Sequence, residues 1–214
     1  MPKETFFHLP EEKRNMIIQA AVNEFSKSGY DTASINRVCR AANIAKGSFY
    51  QYFTDKLDLY VYIMTTAIEE KIRFFSDSLA GLTDLTMPEQ FRLLFKKGVE
   101  FAKNHPQYAA LGEQFAKENN EAARKAVIKE GNKQSELLFS QMIQNAKAKG
   151  EIDSKVEPLA LNLLLQSVNS TVLNYMQNRL GSSDYEYHED DINSFVDSLL
   201  NIILNGIRNK GGVL

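Results

Sequence analysis

Residues 32–56 read TASINRVCRAANIAKGSFYQYFTDK, and this stretch decides the fold. Ser34 favours a helix over Ile35–Ala41, because a serine side chain accepts a hydrogen bond from the first free N–H groups of a helix. Asn43 stands in the following turn, where the chain needs a left-handed residue, a conformation that Asn tolerates better than most. A second short helix is predicted over residues 46–53. Two short helices joined by a tight turn predict a helix-turn-helix.

The two faces of the second short helix differ in chemistry. Phe49 and Phe53 are four residues apart and predict the side that packs against the preceding helices. The outer side is left to Lys46, Ser48, Tyr50, Gln51 and Tyr52. Cys39, on the inward face of the first short helix, is expected to be a small buried hydrophobic residue. The pattern therefore predicts a polar outer surface that carries tyrosines.

The rest of the chain also shows helical periodicity, and no apolar alternation is long enough to indicate a strand. One helix is predicted from Pro10 to a stop at Gly29, and a long one from Lys56 toward Leu79. Further helices are predicted over residues 88–105, 106–118, 121–149, about 158–180 and about 191–209. The chain is therefore expected to be all-α, with a three-helix domain in residues 1–56 and a larger helical domain in residues 57–214.

Composition limits the class of protein. The 214 residues are 43% hydrophobic, which supplies a core and excludes a disordered chain. A single cysteine excludes a disulfide framework, and the first residues lack the apolar run of a signal peptide, so a cytoplasmic protein is expected. The uncharged stretch 159–178 is long enough to span a bilayer but carries many amides and hydroxyls, so no membrane association is expected.

The net charge of -2 argues at first sight against a nucleic-acid-binding protein. The charge is unevenly distributed, however. Residues 32–54 contain Arg37, Arg40 and Lys46 and no acidic residue, a local balance of +3. Residues 1–60 hold eight basic and seven acidic residues, which leaves -3 for the remainder. The charge pattern thus indicates where on the molecule a nucleic acid would bind.

A resemblance to a known family rests on Gly29-Tyr30, on Thr32-Ala33-Ser34-Ile35 and on the run Ala42-Asn43-Ile44-Ala45-Lys46-Gly47-Ser48-Phe49-Tyr50-Gln51-Tyr52-Phe53-Thr54-Asp55-Lys56. Residues 10–60 resemble the DNA-binding domain of the TetR family of bacterial repressors. The resemblance implies a helix-turn-helix DNA-binding domain followed by a helical domain for ligand binding and dimerisation. It also implies a homodimeric repressor that a small, mainly apolar effector releases from a palindromic operator. Two positions depart from the family pattern: Asn43 replaces the common turn glycine, and Ala45 replaces the usual Ser/Thr cap.

The resemblance assigns DNA contacts to nine positions. Gly47, Ser48 and Tyr50 are expected to approach base edges or the sugar-phosphate wall, and Lys46 to contact a phosphate or a guanine. Phosphate contacts are expected of Thr32, Ser34, Gln51, Tyr52 and Lys56, and Gln51 could instead read adenine.

The larger domain is expected to bind the effector and to dimerise through its last two helices, about 158–180 and 191–209. Aromatic, Met and amide side chains are the candidates for the effector site: Phe95, Tyr108, Phe115, Phe139, Met142, Gln166, Asn169 and Tyr175. Whether Asn162, Gln166 and Asn169 face a pocket or the dimer seam stays open. The effector and the operator sequence are likewise left open.

An enzyme, and a protein of the same fold with another task, are the two alternative classes of function. An enzyme is disfavoured, because no nucleophile–base grouping, glycine-rich phosphate loop or metal-spaced cluster stands out, so no catalytic residue, metal ligand or cofactor is predicted. The same fold could instead act as an activator or as a helical dimer whose helix-turn-helix binds a protein. Operator binding that fails to weaken with salt would argue against the DNA interpretation.

Overall fold

The structure is a computed structural model, and it describes residues 1–79, 84–179 and 189–205; some side chains within helices, including those of Gln166 and Asn169, lie outside that description. The described residues form helices and no strand: α1 (Glu4–Phe7), α2 (Glu11–Thr32), α3 (Ile35–Ala41), α4 (Lys46–Tyr52), α5 (Lys56–Leu79), α6 (Met87–Asn104), α7 (Pro106–Ala116), α8 (Glu121–Ala148), α9 (Pro158–Arg179) and α10 (Glu189–Asn205). The all-α class predicted from periodicity is confirmed.

The helix-turn-helix forms by the local signals that predicted it. The Ser34 hydroxyl accepts the N–H of Arg37 at 3.4 Å and caps α3. Asn43 has φ 51°, the left-handed value expected of it, and the N–H of Ile44 donates to the carbonyl of Cys39 at 2.9 Å. Cys39 is buried, and its burial raises the pKa of the thiol. Ala45 gives α4 no side-chain cap, as expected from its methyl group.

The N-terminal region differs from the prediction in two places. The backbone breaks at Gly29, as predicted, with φ 65° and ψ -175°, but a further helical turn follows and α2 ends at Thr32. Only glycine adopts that conformation readily, so the kink depends on this residue. The unpredicted helix is α1, whose four residues hold the fully buried Phe6.

The chain divides into two compact units. Unit 1 comprises residues 1–77 and 100–135, and its core joins the helix-turn-helix residues to Leu59, Tyr60, Ile63 and Leu111. Unit 2 comprises residues 78–99 and 136–214, and its core includes Ile143, Leu165, Val172 and Ile192. These units reflect packing, so the division of binding roles at residue 56 stays a prediction.

Candidate nucleic-acid interface

The surface of α4 separates into a buried and an exposed side. Phe49 and Phe53 are fully buried and their rings stack 5.4 Å apart, which confirms the predicted inner face. Lys46, Gly47, Tyr50 and Gln51 are exposed, and Ser48 is half-buried. Tyr50 is 47% exposed although its ring is large and apolar. The exposed side of α4 thus offers an ammonium, an amide, a phenol and bare backbone.

Gly47 has no packing role within the described part of the protein. A Cβ placed on it would meet no atom within 4 Å. Glycine inside a helix costs about 0.5–1 kcal/mol relative to alanine. Nothing in the described part of the chain therefore accounts for a glycine here, whereas close approach of an outside molecule to the helix backbone would.

Tyr52 does not lie on the outer side of α4, and that expectation is wrong. It is only 7% exposed, and its ring packs edge-on against Phe6 at 6.3 Å. The cause is α1, which covers this end of the recognition helix and was not foreseen. The phosphate contact expected of Tyr52 stays a prediction.

The N-terminal segment also closes the C-terminal end of α4. The last carbonyls of a helix have no partner within it. Here the Lys3 backbone N–H donates to the carbonyl of Tyr52 at 2.8 Å, the Lys3 ammonium donates to that of Tyr50 at 2.8 Å, and the Thr5 hydroxyl donates to that of Gln51. Sequence reasoning missed these positioning residues, and the signal that could have found them is the pair Phe6-Phe7 ahead of Pro10.

Arg37 is not a free cation at this surface. Its Nε lies 2.9 and 3.0 Å from the two carboxylate oxygens of Glu24, and the same carboxylate accepts the N–H of Ser34 at 2.8 Å. The hydrogen bond from Arg37 holds the pKa of Glu24 below its ordinary value. Because Glu24 lies outside residues 32–54, the local balance of +3 overstates the charge that DNA would meet. Arg40 and Lys46 are the exposed cations that remain in that stretch.

Lys56 has a structural role that the sequence did not reveal. Its ammonium donates to the carbonyls of Tyr30, Asp31 and Ala33 at 2.8, 3.0 and 3.3 Å and lies 4.6 Å from the centre of the Tyr30 ring. Its three N–H groups are thus directed at the end of α2. A phosphate contact by Lys56 has to compete with these bonds and stays a prediction.

Thr32 and Ser34 lie at the entry to α3, where phosphate contacts were expected. Thr32 is exposed, although its hydroxyl donates to the carbonyl of Ser28 at 2.5 Å. Ser34 is half-buried, and its hydroxyl caps α3. The position suits a phosphate, and the contact itself stays a prediction.

A second set of hydrogen bonds ties the end of α2 to the turn between α7 and α8. The Tyr30 N–H donates to the Glu118 carboxylate at 3.1 Å, and the other oxygen of that carboxylate accepts the Asn120 N–H at 2.8 Å. The Asn120 amide donates to Asp31 at 2.9 Å. A shift of this turn would therefore pull directly on the last turn of α2, beside the kink at Gly29.

The candidate effector residues fall in both compact units. Tyr108 and Phe115 are half-buried against the core of unit 1. In unit 2, Phe95 and Met142 are buried, Phe139 packs against the core, and Tyr175 stacks on Phe195 at 4.0 Å. The side chains of Gln166 and Asn169 lie outside the described part. Ligand contact by these eight residues stays a prediction.

The two helices expected to dimerise expose large apolar side chains. On α9, Leu161, Leu165, Val168 and Val172 are buried in unit 2, whereas Leu159, Leu163 and Leu164 are exposed. On α10, Ile192, Val196 and Leu200 are buried and Ile202 is exposed. Asn162 is buried, so it does not lie on the exposed leucine face. α9 thus has an apolar side beyond the one its own unit covers, and α10 adds the exposed Ile202. Residue 180 of the first predicted helix and residues 206–209 of the second lie outside the described residues.

The described residues contain neither a candidate membrane-spanning helix nor a candidate metal site. None of the helices there is long and apolar enough to cross a bilayer. No group of three or more His, Cys, Asp or Glu side chains stands close enough to hold a metal ion.

Known transcriptional regulators match this chain in sequence. The profile of the bacterial regulatory proteins of the tetR family matches residues 17–63. The HTH-type transcriptional regulator HbdR of Aromatoleum sp. (strain CIB) is 36% identical over 75 residues, which are 35% of this chain and 33% of that protein. The fatty acid metabolism regulator protein of Bacillus subtilis (strain 168) is 21% identical over 201 residues, 92% of this chain and 97% of that protein.

Solved structures extend the likeness over the whole length. A TetR family transcriptional regulator from Chloroflexus aurantiacus J-10-FL is 27% identical with a TM-score of 0.64, and the alignment covers 98% of this chain and 100% of that one. The transcriptional regulator FadR of Bacillus subtilis, solved with stearoyl-CoA, has a TM-score of 0.71 at 17% identity, covering 91% and 99%, which shows a shared fold. Residues 17–63 therefore carry the helix-turn-helix domain of the tetR family of bacterial regulatory proteins, and the chain shares the fold of TetR-family transcriptional regulators over almost its whole length.

Proposed function

We propose that this protein is a homodimeric repressor that places α4 in the major groove of a palindromic operator and is released by a small, mainly apolar effector. The observation that carries the proposal is the exposed side of α4, where Gly47 has open space and Tyr50 stands in solvent. The proposed DNA contacts are Thr32, Ser34, Lys46, Gly47, Ser48, Tyr50 and Gln51, with Tyr52 and Lys56 as secondary candidates.

The chemistry of this face supports a nucleic acid as the partner. Gln51 can pair with adenine through two hydrogen bonds or hold a phosphate, and Lys46 can contact guanine or a phosphate. The missing Cβ of Gly47 lets the helix backbone approach the groove closely. Tyr50 supplies a flat apolar ring with a hydroxyl for the sugar-phosphate wall. A protein-binding surface of this size would be expected to have a more apolar centre.

The exposed leucines of α9 and Ile202 of α10 support the proposed homodimer. Contiguous exposed apolar side chains mark interaction sites, and a second copy of this chain presents the same face. A two-fold dimer would hold two α4 helices roughly 34 Å apart, or at a larger spacing of the same helical phase, to match two operator half-sites. A single short helix gives too few contacts for a specific site.

One sequence match and one structural match suggest the class of effector. The sequence match is a fatty acid metabolism regulator protein of Bacillus subtilis, and the structural match is the FadR regulator of Bacillus subtilis in complex with stearoyl-CoA. A fatty acyl ligand agrees with the mainly apolar effector expected from the candidates Phe95, Tyr108, Phe115, Phe139, Met142, Gln166, Asn169 and Tyr175. Within unit 1, the effector would act through the bonds of Glu118 to Tyr30 and of Asn120 to Asp31, which join the α7–α8 turn to the end of α2. The ligand must favour the state that does not bind DNA, because only differential affinity shifts the equilibrium.

The test is a fluorescence-anisotropy titration with the DNA that flanks the protein's own gene. The double variant Lys46→Ala, Tyr50→Ala is expected to lose about 30-fold or more in affinity, because each good base contact contributes about 1–3 kcal/mol. Lys129→Ala, which removes an exposed lysine from α8, is the matched control and should bind as the parent does. Affinity should also fall steeply with salt.

Three outcomes would count against parts of the proposal. An unchanged double variant would contradict the role of α4, and a flat salt dependence would contradict a phosphate-dominated interface. A reporter gene that is switched on by the protein, rather than off, would make it an activator.

A further inference from the structure

Five aromatic rings follow one another within unit 1, and we call them the aromatic run: Phe75, Phe74, Phe101, His105 and Tyr108. Their centroids are 6.4 Å apart for Phe74–Phe75, 5.6 Å for Phe74–Phe101, 4.6 Å for Phe101–His105 and 6.0 Å for His105–Tyr108. The run joins α5, the end of α6 and the start of α7. Tyr108 is one of the effector candidates expected from the sequence, and Phe75 and Phe101 were expected among the aromatic residues that could line a pocket.

The ammonium of Lys71 stands at one end of the aromatic run. Its Nζ lies 5.7 Å from the centre of the Phe75 ring, and the residue is half-buried. Among the described residues, Lys71 has no hydrogen bond and no ion pair. The nearest carboxylate along the chain, Glu70, already pairs with Arg73 at 2.6 Å. Burial alone lowers the pKa of Lys71.

An unpaired ammonium in such a position is costly. Buried charges in proteins are normally paired, because removal from water penalises the charged form. The contact with the Phe75 face is attractive but weaker than that penalty. A surface or core lysine without function would be expected to reach solvent, since its four-carbon stem is long enough to do so. An anionic group beside Lys71 would compensate for this penalty.

We propose that Lys71 receives the anionic group of an amphipathic effector whose hydrocarbon chain packs along the aromatic run. The inference rests on the proposed function, and it adds the class of ligand and the residue that selects it. The anion could be the carboxylate of a free fatty acid or a phosphate of the coenzyme A group in an acyl thioester, and each molecule joins a negative group to an apolar chain. Phe74, His105 and Tyr108 are half-buried, so they can rearrange around a chain.

The test measures ligand binding directly, on the delipidated full-length protein and without DNA. The probes are dodecanoate, dodecanoyl-CoA and 1-dodecanol, titrated by calorimetry. The parent is expected to bind at least one of the two anions about tenfold more tightly than the alcohol. Lys71→Met should lose at least tenfold for that anion and stay within about twofold for the alcohol, whereas Lys71→Arg should retain anion binding. Lys129→Met is the matched control and should behave as the parent does.

The ligand-free protein provides a second readout. Because Lys71→Met removes an unpaired charge, its melting temperature should equal or exceed that of the parent, and a lower one would overturn the proposal. Equal loss for dodecanoate, dodecanoyl-CoA and 1-dodecanol, or no loss for any, would also overturn it. Loss for dodecanoate alone identifies a carboxylate site, and loss for dodecanoyl-CoA alone identifies a phosphate site. Operator release is measured separately, so a failure of the repressor proposal leaves these binding results interpretable.

Discussion

Two surfaces of this protein carry side chains that the described part of the chain leaves exposed, and their chemistry differs. The exposed side of α4 shows Lys46, Gly47, Tyr50 and Gln51, whereas the exposed side of α9 shows three leucines. Phosphates and base edges are polar, so a DNA-binding face consists of hydrogen-bonding groups and close backbone. A face that contacts another copy of the chain excludes water, and leucines stabilise that contact when they are buried. The comparison shows that an exposed surface indicates the kind of partner only when the chemistry of its side chains is considered.

The two surfaces also differ in how they are supported. α4 has seven residues, too few for a stable isolated helix, and its end is closed by Lys3 and Thr5 from the N-terminal segment. α9 has 22 residues and is anchored by a full buried side. The proposed DNA-binding face is therefore the one that depends on distant contacts, and substitutions at both surfaces test this difference.

Phe6→Ala should have the largest effect, because it removes a fully buried ring that packs against Tyr52 and Phe53. The free energy of unfolding is expected to fall by about 3–5 kcal/mol. Urea denaturation followed by circular dichroism measures it. Phe7→Ala is the control, since Phe7 is 49% exposed and its loss should cost little. Similar losses for the two variants would show that α1 does not support α4.

The double variant Leu159→Glu, Leu163→Glu tests the other surface. These side chains are 57% and 58% exposed, so the substitution should leave the fold intact while placing four carboxylates in the proposed dimer seam. Sedimentation velocity should show a monomer, and operator affinity should fall about 100-fold, roughly 2.7 kcal/mol. Leu137→Glu is the control, because Leu137 is 61% exposed on α8 outside that seam. A double variant that stays dimeric would place the interface elsewhere.

Gly47→Ala should separate stability from DNA binding. The added methyl group meets nothing within 4 Å, so the unfolding free energy should rise by about 0.5–1 kcal/mol. The same methyl group would obstruct the groove, and operator affinity should fall about tenfold, or 1.4 kcal/mol. Thermal melts and anisotropy titrations measure the two effects. A rise in stability with unchanged affinity would mean that the DNA does not approach Gly47.

The pair of Glu24 with Arg37 should have the smallest effect. Because its hydrogen bond from Arg37 lowers the pKa of Glu24, the stabilisation is present above the ordinary carboxyl range and is lost as the pH falls through the lowered pKa. Arg37 is half exposed, so the contribution should be about 1 kcal/mol or less. Denaturation of the parent and of Glu24→Gln between about pH 7 and about pH 3 should converge at the acidic end. Parallel curves would assign the acid sensitivity to other groups.

The sequence by itself determined the all-α class, the helix-turn-helix with its cap at Ser34, the left-handed Asn43 and the buried pair Phe49 and Phe53. Each of these depends on residues within about four positions of one another, and caps, turns and helical spacing act at that range. The family resemblance depends on the same short run. These features could therefore be found without knowing where the rest of the chain lies.

The tertiary structure alone decided which long side chains remain free to act. Lys56 bonds to carbonyls up to 26 residues away, Arg37 pairs with Glu24 13 residues away, and the end of α4 is closed from 47 residues away. Tyr52 lies beneath Phe6, and Lys71 lies beside Phe75 with no ion pair to another described residue. A long polar side chain can reach many partners, and only the packing of helices settles which one it meets.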